Sequence, residues 1–197
     1  MNDSEKEEVL ELLKKALVKE AHGYEFYVKV AQTCGDGSDT NLVLTRLADE
    51  EVKHFGILKI VYDCLQEKDV CLSLEEAEQN LEDFKSTLQQ LLPYRIEDTS
   101  AEDKIFGEVK NIIEGNQVCD EDGGIKLGIQ VEENAILYYK KIGDKTEDVN
   151  LKEILKQIIE EEVKHKSVLQ QALKGKGVFF KEDEMYGPYS DITDNTE

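Results

Sequence analysis

Positive charge is scarce in this chain of 197 residues: 24 lysines and arginines stand against 44 acidic residues, a net charge of −20. A phosphate backbone would be repelled by such a surface, which argues against nucleic-acid binding and against an anionic membrane face. No apolar run approaches the ~18 residues that a membrane-spanning helix needs. The N-terminus, MNDSEKEEVLELL, lacks the basic start and apolar middle of a secretory signal, so a cytoplasmic protein is expected. The four cysteines, Cys34, Cys64, Cys71 and Cys119, include no CxxC pair. That argues against a zinc ribbon, a thioredoxin-type couple and a four-thiolate iron site. The expected state is four reduced thiols, with a Cys64–Cys71 pairing left open. Proline occurs only at Pro93 and Pro188, and alternating strand patterns are missing.

What is present is helical period. Four long segments are predicted, at about 4–33, 39–66, 124–142 and 150–174. Gly35 and Gly37 close the first, Gly143 the third and Gly175 the fourth, while Asn150 with Glu153 resembles a capping box. Between the second and third lie almost sixty residues, with room for two shorter helices, from Ser73 toward Leu91 and from Ser100 to about Glu114. Residues 117–123 read as a polar loop. The fold class is therefore all-α. One domain is expected over residues 1–175, with an insertion at about 67–123 and an acidic, non-helical tail at 176–197. A connection this long allows the second and third long helices to run parallel.

The chain also contains a repeat. Glu50-Glu51-Val52-Lys53-His54 recurs as Glu161-Glu162-Val163-Lys164-His165, and helices one and three match at nearly the same offset. Two hairpins of one design are expected about a pseudo-twofold axis. In each, polar groups interrupt the apolar stripe. Glu20 lies among Leu13, Ala16, Leu17, Tyr24 and Tyr27, and Glu132 among Ile125, Gly128, Ile129, Ile136 and Tyr139. Glu51 and His54 lie among Leu44, Leu47, Ala48, Phe55 and Leu58, and Glu162 and His165 among Leu155, Ile158, Ile159 and Leu169.

Four glutamates and two histidines are thus aimed at one core. A buried ionised carboxylate is very costly unless paired or metal-bound. Lys53 and Lys164 point off the stripes, so no cation of the chain answers them. Two divalent metal ions would balance four carboxylates. With 28 glutamates in the chain, one Glu three residues before a His means little; two identical pentapeptides carrying two of three histidines mean much more. His22, the third, lies off the stripe and reads as a surface residue.

The pattern Glu20, Glu51-x-x-His54, Glu132, Glu162-x-x-His165 resembles the di-metal carboxylate site of the ferritin-like superfamily. The segments EAHGYEFY, LADEEVKHFGIL, EENAILYY and EEEVKHKSVL look most like its rubrerythrin-related group. The resemblance implies a ferritin-like four-helix bundle with a long helical crossover between helices two and three. It implies that Glu51 and Glu162 bridge two metals, that Glu20 and Glu132 are terminal ligands, and that His54 and His165 each bind one metal. Tyr27 and Tyr139 would hydrogen-bond ligand carboxylates. Two iron ions are implied, although these ligand types also accept manganese or zinc.

The implied activity is reduction of hydrogen peroxide or O₂. The four-cysteine rubredoxin domain of full-length rubrerythrins is missing, so an external donor such as a rubredoxin-like protein is expected. The further glutamate that rubrerythrins carry one turn after the helix-three ligand is replaced here by Ala135, whose repeat counterpart is Gly23. The alternative is ferroxidase or iron-sequestering activity without peroxidase turnover. A homodimer or small homo-oligomer is expected, because the long insertion and tail fit a closed cage poorly.

Overall fold

In the computed structural model, residues 2–33, 38–66, 81–92 and 121–174 are described. All regular structure among them is α-helical: α1 (Asp3–Thr33), α2 (Asp39–Leu65), α3 (Leu81–Leu91), α4 (Glu121–Lys145) and α5 (Val149–Leu173). None of these helices is long and apolar enough to cross a membrane. The expected helix at 100–114 and the tail at 176–197 lie outside the described residues.

Side-chain oxygens satisfy the free amides at three helix starts. The Asn2 Oδ1 accepts from the Glu5 amide at 2.9 Å, the Ser38 Oγ from Asn41 at 3.0 Å, and the Asp148 Oδ1 from Leu151 at 2.9 Å. The last corrects the sequence reading, which placed the α5 cap at Asn150. Asp148 wins because α4 runs on to Lys145 and leaves a link of only Thr146, Glu147 and Asp148. Gly143 therefore does not stop α4. Its φ is not left-handed and the nearest atom to an added Cβ would be 4.0 Å away, so the helix passes through it unstrained. The helix also begins at Glu121, within the stretch read as loop, where the acidic Asp122 suits the positive N-terminal end of the helix dipole.

α1 packs chiefly on α2, and α4 on α5, forming two hairpins. Their directions follow from named contacts. Asn41 Nδ2 donates to the Ala31 carbonyl near the first turn, while Glu20 meets His54 farther along, so α1 and α2 are antiparallel. Tyr138 donates to the Leu12 carbonyl at 3.1 Å, Lys145 pairs with Glu8 at 2.9 Å, and Tyr27 lies against Gly128, so α1 and α4 are also antiparallel. Hence α2 and α4 run parallel, as the long connection between them allows. α3 lies on the first hairpin and buries Phe84 and Leu88. Gly56 makes room for it, since a Cβ there would come within 2.8 Å of the Phe84 ring.

The apolar core falls into two clusters. One contains Leu13, Leu17, Phe55, Leu58, Tyr139, Ile142, Leu155 and Ile158; the other contains Phe26, Tyr27, Leu44, Leu47, Ile125 and Leu169. The helix positions between them, from Glu20 to Gly23 on α1 and from Glu51 to His54 on α2, carry the polar layer.

Two expectations fail here. His22 is buried at 7% exposure, not on the surface. The covered arc of α1 is wider than its apolar stripe: Lys19, His22, Phe26 and Val30, one turn apart, form a second covered ridge. Cys64 is disulfide-bonded, not a free thiol. It sits half-buried in the last turn of α2, outside the packed interior, and the other three cysteines lie outside the described residues.

Candidate metal centre

All six residues singled out from the stripes meet in the polar layer. Glu20 is 2% exposed, Glu51 3%, His165 8%, and His54, Glu132 and Glu162 are fully buried. They form two overlapping tetrads. Glu20, Glu51, His54 and Glu162 each offer a ligand atom within 4.8 Å of the others, and so do Glu51, Glu132, Glu162 and His165. Glu51 and Glu162 belong to both. Each tetrad draws on both hairpins, so the site exists only when the hairpins are docked.

The internal geometry is close. His54 Nδ1 lies 3.3 Å from Glu162 Oε1 and 3.7 Å from Glu20 Oε2. His165 Nδ1 lies 3.1 Å from Glu162 Oε2 and 3.9 Å from Glu132 Oε1. The two imidazoles stack with centroids 5.4 Å apart. Gly23 lets the α1 backbone approach Glu51, because an added Cβ would stand 3.0 Å from that carboxyl group.

The electrostatics show what the protein alone cannot satisfy. Burial, reinforced by neighbouring carboxylates, pushes the carboxyl groups of Glu20 and Glu132 well above their ordinary range. Burial and the charge of Glu162 push Glu51 up to about 7. Burial would raise Glu162 too, but His54 and His165 outweigh it and hold that group down. Burial works against a charge on His54, yet Glu162, Glu161 and Glu20 raise it well above its ordinary range. Four ligand atoms, Glu20 Oε2, His54 Nδ1, Glu132 Oε2 and Glu162 Oε1, are buried without a hydrogen-bond partner. Orphaned acceptors that converge on one volume are what a cation satisfies, and the oxygen and imidazole donor set fits two divalent transition ions.

Behind these atoms the two halves differ. The Tyr27 hydroxyl donates to Glu132 Oε1, which leaves Oε2 facing the layer. Burial and the nearby carboxylates push that phenol well above its ordinary range, so it stays a donor. Tyr139 is equally buried but makes no hydrogen bond among the described residues. Glu161 reaches across from α5 to His54 Nε2 at 2.9 Å, and His54 in turn draws its pKa below the ordinary range despite partial burial. This contact turns Nδ1 toward the ligand cluster. Glu50, the repeat counterpart of Glu161, instead takes Lys53 at 2.7 Å.

Sequence reasoning missed Glu161, although it stands beside Glu162 in the repeated pentapeptide. The available signal was its identity with Glu50, but a side chain that crosses between helices leaves no periodic trace. No protein-family model, no curated protein and no solved structure matches the chain.

Proposed function

We propose that this chain is a non-haem di-iron oxidoreductase, similar to a rubrerythrin that lacks the rubredoxin domain, on a ferritin-like four-helix bundle. It reduces hydrogen peroxide, or O₂, with electrons from an external donor. The observation that carries this reading is the pair of overlapping buried tetrads, whose four orphaned ligand atoms the chain itself leaves unanswered. Two bound ferrous ions would supply one electron each, so that H₂O₂ takes up two electrons and two protons and leaves as two waters.

The chain's own groups do the rest. Glu51 and Glu162 are placed to span both positions, Glu20 with His54 serves one, and Glu132 with His165 serves the other. Tyr27 fixes one oxygen of Glu132, and Glu161 fixes the ring of His54. The apolar clusters on either side keep bulk water from the layer. With no CxxC pair in the sequence, the electrons come from another protein.

The first measurement is metal content per chain after purification without added metal or chelator. Two irons per chain, followed by rapid oxidation of the anaerobic ferrous form on mixing with peroxide, supports the reading. Two metals that peroxide leaves reduced would sink the oxidoreductase assignment. Turnover of added Fe²⁺ into a mineral within a large hollow assembly, seen by light scattering, would replace it with iron sequestration. No metal, even after anaerobic Fe²⁺ addition, would end both.

A further inference from the structure

Beside the ligand layer lies a cavity that the ligands do not fill. Gly23 of α1 and Ala135 of α4 both line it, and their small side chains leave it open. Glu20, Glu51, Lys19 and Tyr139 form the rest of the wall that matters here. It leaves ≈ 10 Å³ for the centre of a water-sized molecule within ≈ 260 Å³ of unfilled space. About that much holds a single water. Two oxygen atoms joined by a bond also fit, whereas an alkyl or aryl hydroperoxide would have to displace the walls.

The lining is polar where it touches the metal layer. Glu20 Oε2 is buried without a hydrogen bond. Tyr139 is 1% exposed and its hydroxyl is unbonded among the described residues. Its counterpart Tyr27 stands to Glu132 as Tyr139 stands to Glu20 in the repeat, and Tyr27 spends its hydroxyl on Glu132. The same reach carries the Tyr139 hydroxyl to the Glu20 side of the layer. The buried Lys19 amine lies 4.7 Å from the centre of the Tyr138 ring and adds positive charge to this wall.

We infer that the cavity between Gly23 and Ala135 is a binding pocket for a peroxide-sized oxygen species, with the Tyr139 hydroxyl as its hydrogen-bond donor. This rests on the di-metal reading and adds where the small molecule sits and how large it can be. The two tyrosines then have different duties: Tyr27 holds a ligand, and Tyr139 serves the substrate.

The test uses azide, a small linear anion, titrated into the full chain loaded with two Co²⁺ and followed by the visible spectrum. Ala135→Leu fills the cavity and is expected to weaken azide binding about tenfold while both metals stay bound. Tyr139→Phe keeps the ring volume and is expected to weaken it about fivefold. In the ferrous form, hydrogen peroxide is expected to react about 100-fold faster than tert-butyl hydroperoxide. Azide affinity unchanged in Ala135→Leu, with two metals retained, overturns the pocket and leaves the di-metal reading standing. Should Ala135→Leu fail to fold, unchanged affinity in Tyr139→Phe overturns it alone. A parent chain that binds no metal overturns the functional reading and the pocket together.

Discussion

The two hairpins share a pentapeptide and a ligand plan, yet they support their ligands differently. In the first, His54 is backed by Glu161 from the other hairpin, Gly23 admits the Glu51 carboxyl group, and α3 seals the outer face through Phe84 against Gly56. In the second, Glu132 is held by Tyr27, and Ser167 stands where the first hairpin has Gly56. The ligands nearest the metals obey the repeat, and the groups one layer out do not. Direct ligands are fixed by charge balance, which both halves must satisfy. Outer contacts answer to local packing, which α3 and the interhelical crossings make unequal.

The strongest way to break this comparison is to remove a shared ligand. Glu51→Ala and Glu162→Ala should each reduce bound metal from two ions to fewer than one per chain, because each residue belongs to both tetrads; elemental analysis of the purified variants decides it. Glu161→Gln tests the inequality itself. It should lower the affinity of one metal position by about 10- to 100-fold and leave the other nearly unchanged, whereas Glu50→Gln should alter neither. Competition with a chelator resolves the two steps, and equal effects from both variants would mean that the halves are equivalent after all.

A pH series sharpens the same point in the metal-free chain. Glu51 binds its proton up to about pH 7 when folded but only to about 4.5 when unfolded, so the folded state holds the extra proton between those values. Glu20, Glu132 and His54 shift the same way. Stability should therefore fall as pH rises from about 4.5 through 7, by ~3 kcal/mol from Glu51 alone. Glu161 and Glu162, both held low, contribute stability that is present above pH 4.5 and lost below it. Denaturant titrations across this range should show a maximum near pH 4.5, and a flat profile would refute the repulsion argument. Smaller still are two glycine changes. Gly56→Ala should cost about 1–3 kcal/mol by forcing the Phe84 ring aside, while Gly143→Ala should add up to ~1 kcal/mol; thermal melts separate the signs.

The six ligands were legible in the sequence because polar groups on apolar stripes violate a period that one helix imposes on itself. Glu20, Glu51 and Glu162 stand out against Leu17, Leu47 and Ile158 without any knowledge of the neighbouring helices. The parallel course of α2 and α4 was legible in the length of the connection. What stayed hidden depends on distances between helices. That Glu161 crosses to His54 while Glu50 stays on Lys53, and that Tyr27 is bonded while Tyr139 is not, follow from how the hairpins sit. His22 was misplaced because a stripe marks the most apolar face of a helix and not the full arc that its neighbours cover. The caps at Asp148 and Gly143 were misread by a few residues, where several turn-forming residues compete within one short link.

The distribution of ligands between the hairpins bears on how the chain reaches its native state. Each hairpin is stitched by contacts between residues close along the chain, the kind that form quickly, whereas joining them requires closure across the long connection. Every tetrad crosses that junction. A metal ion can then be captured fully only after the slow step, and once captured it opposes separation of the halves. The repulsion among four carboxylates makes the junction the weakest seam of the empty chain and the strongest of the loaded one. Amide exchange should report this as protection confined to the separate hairpins before loading and shared across both after it.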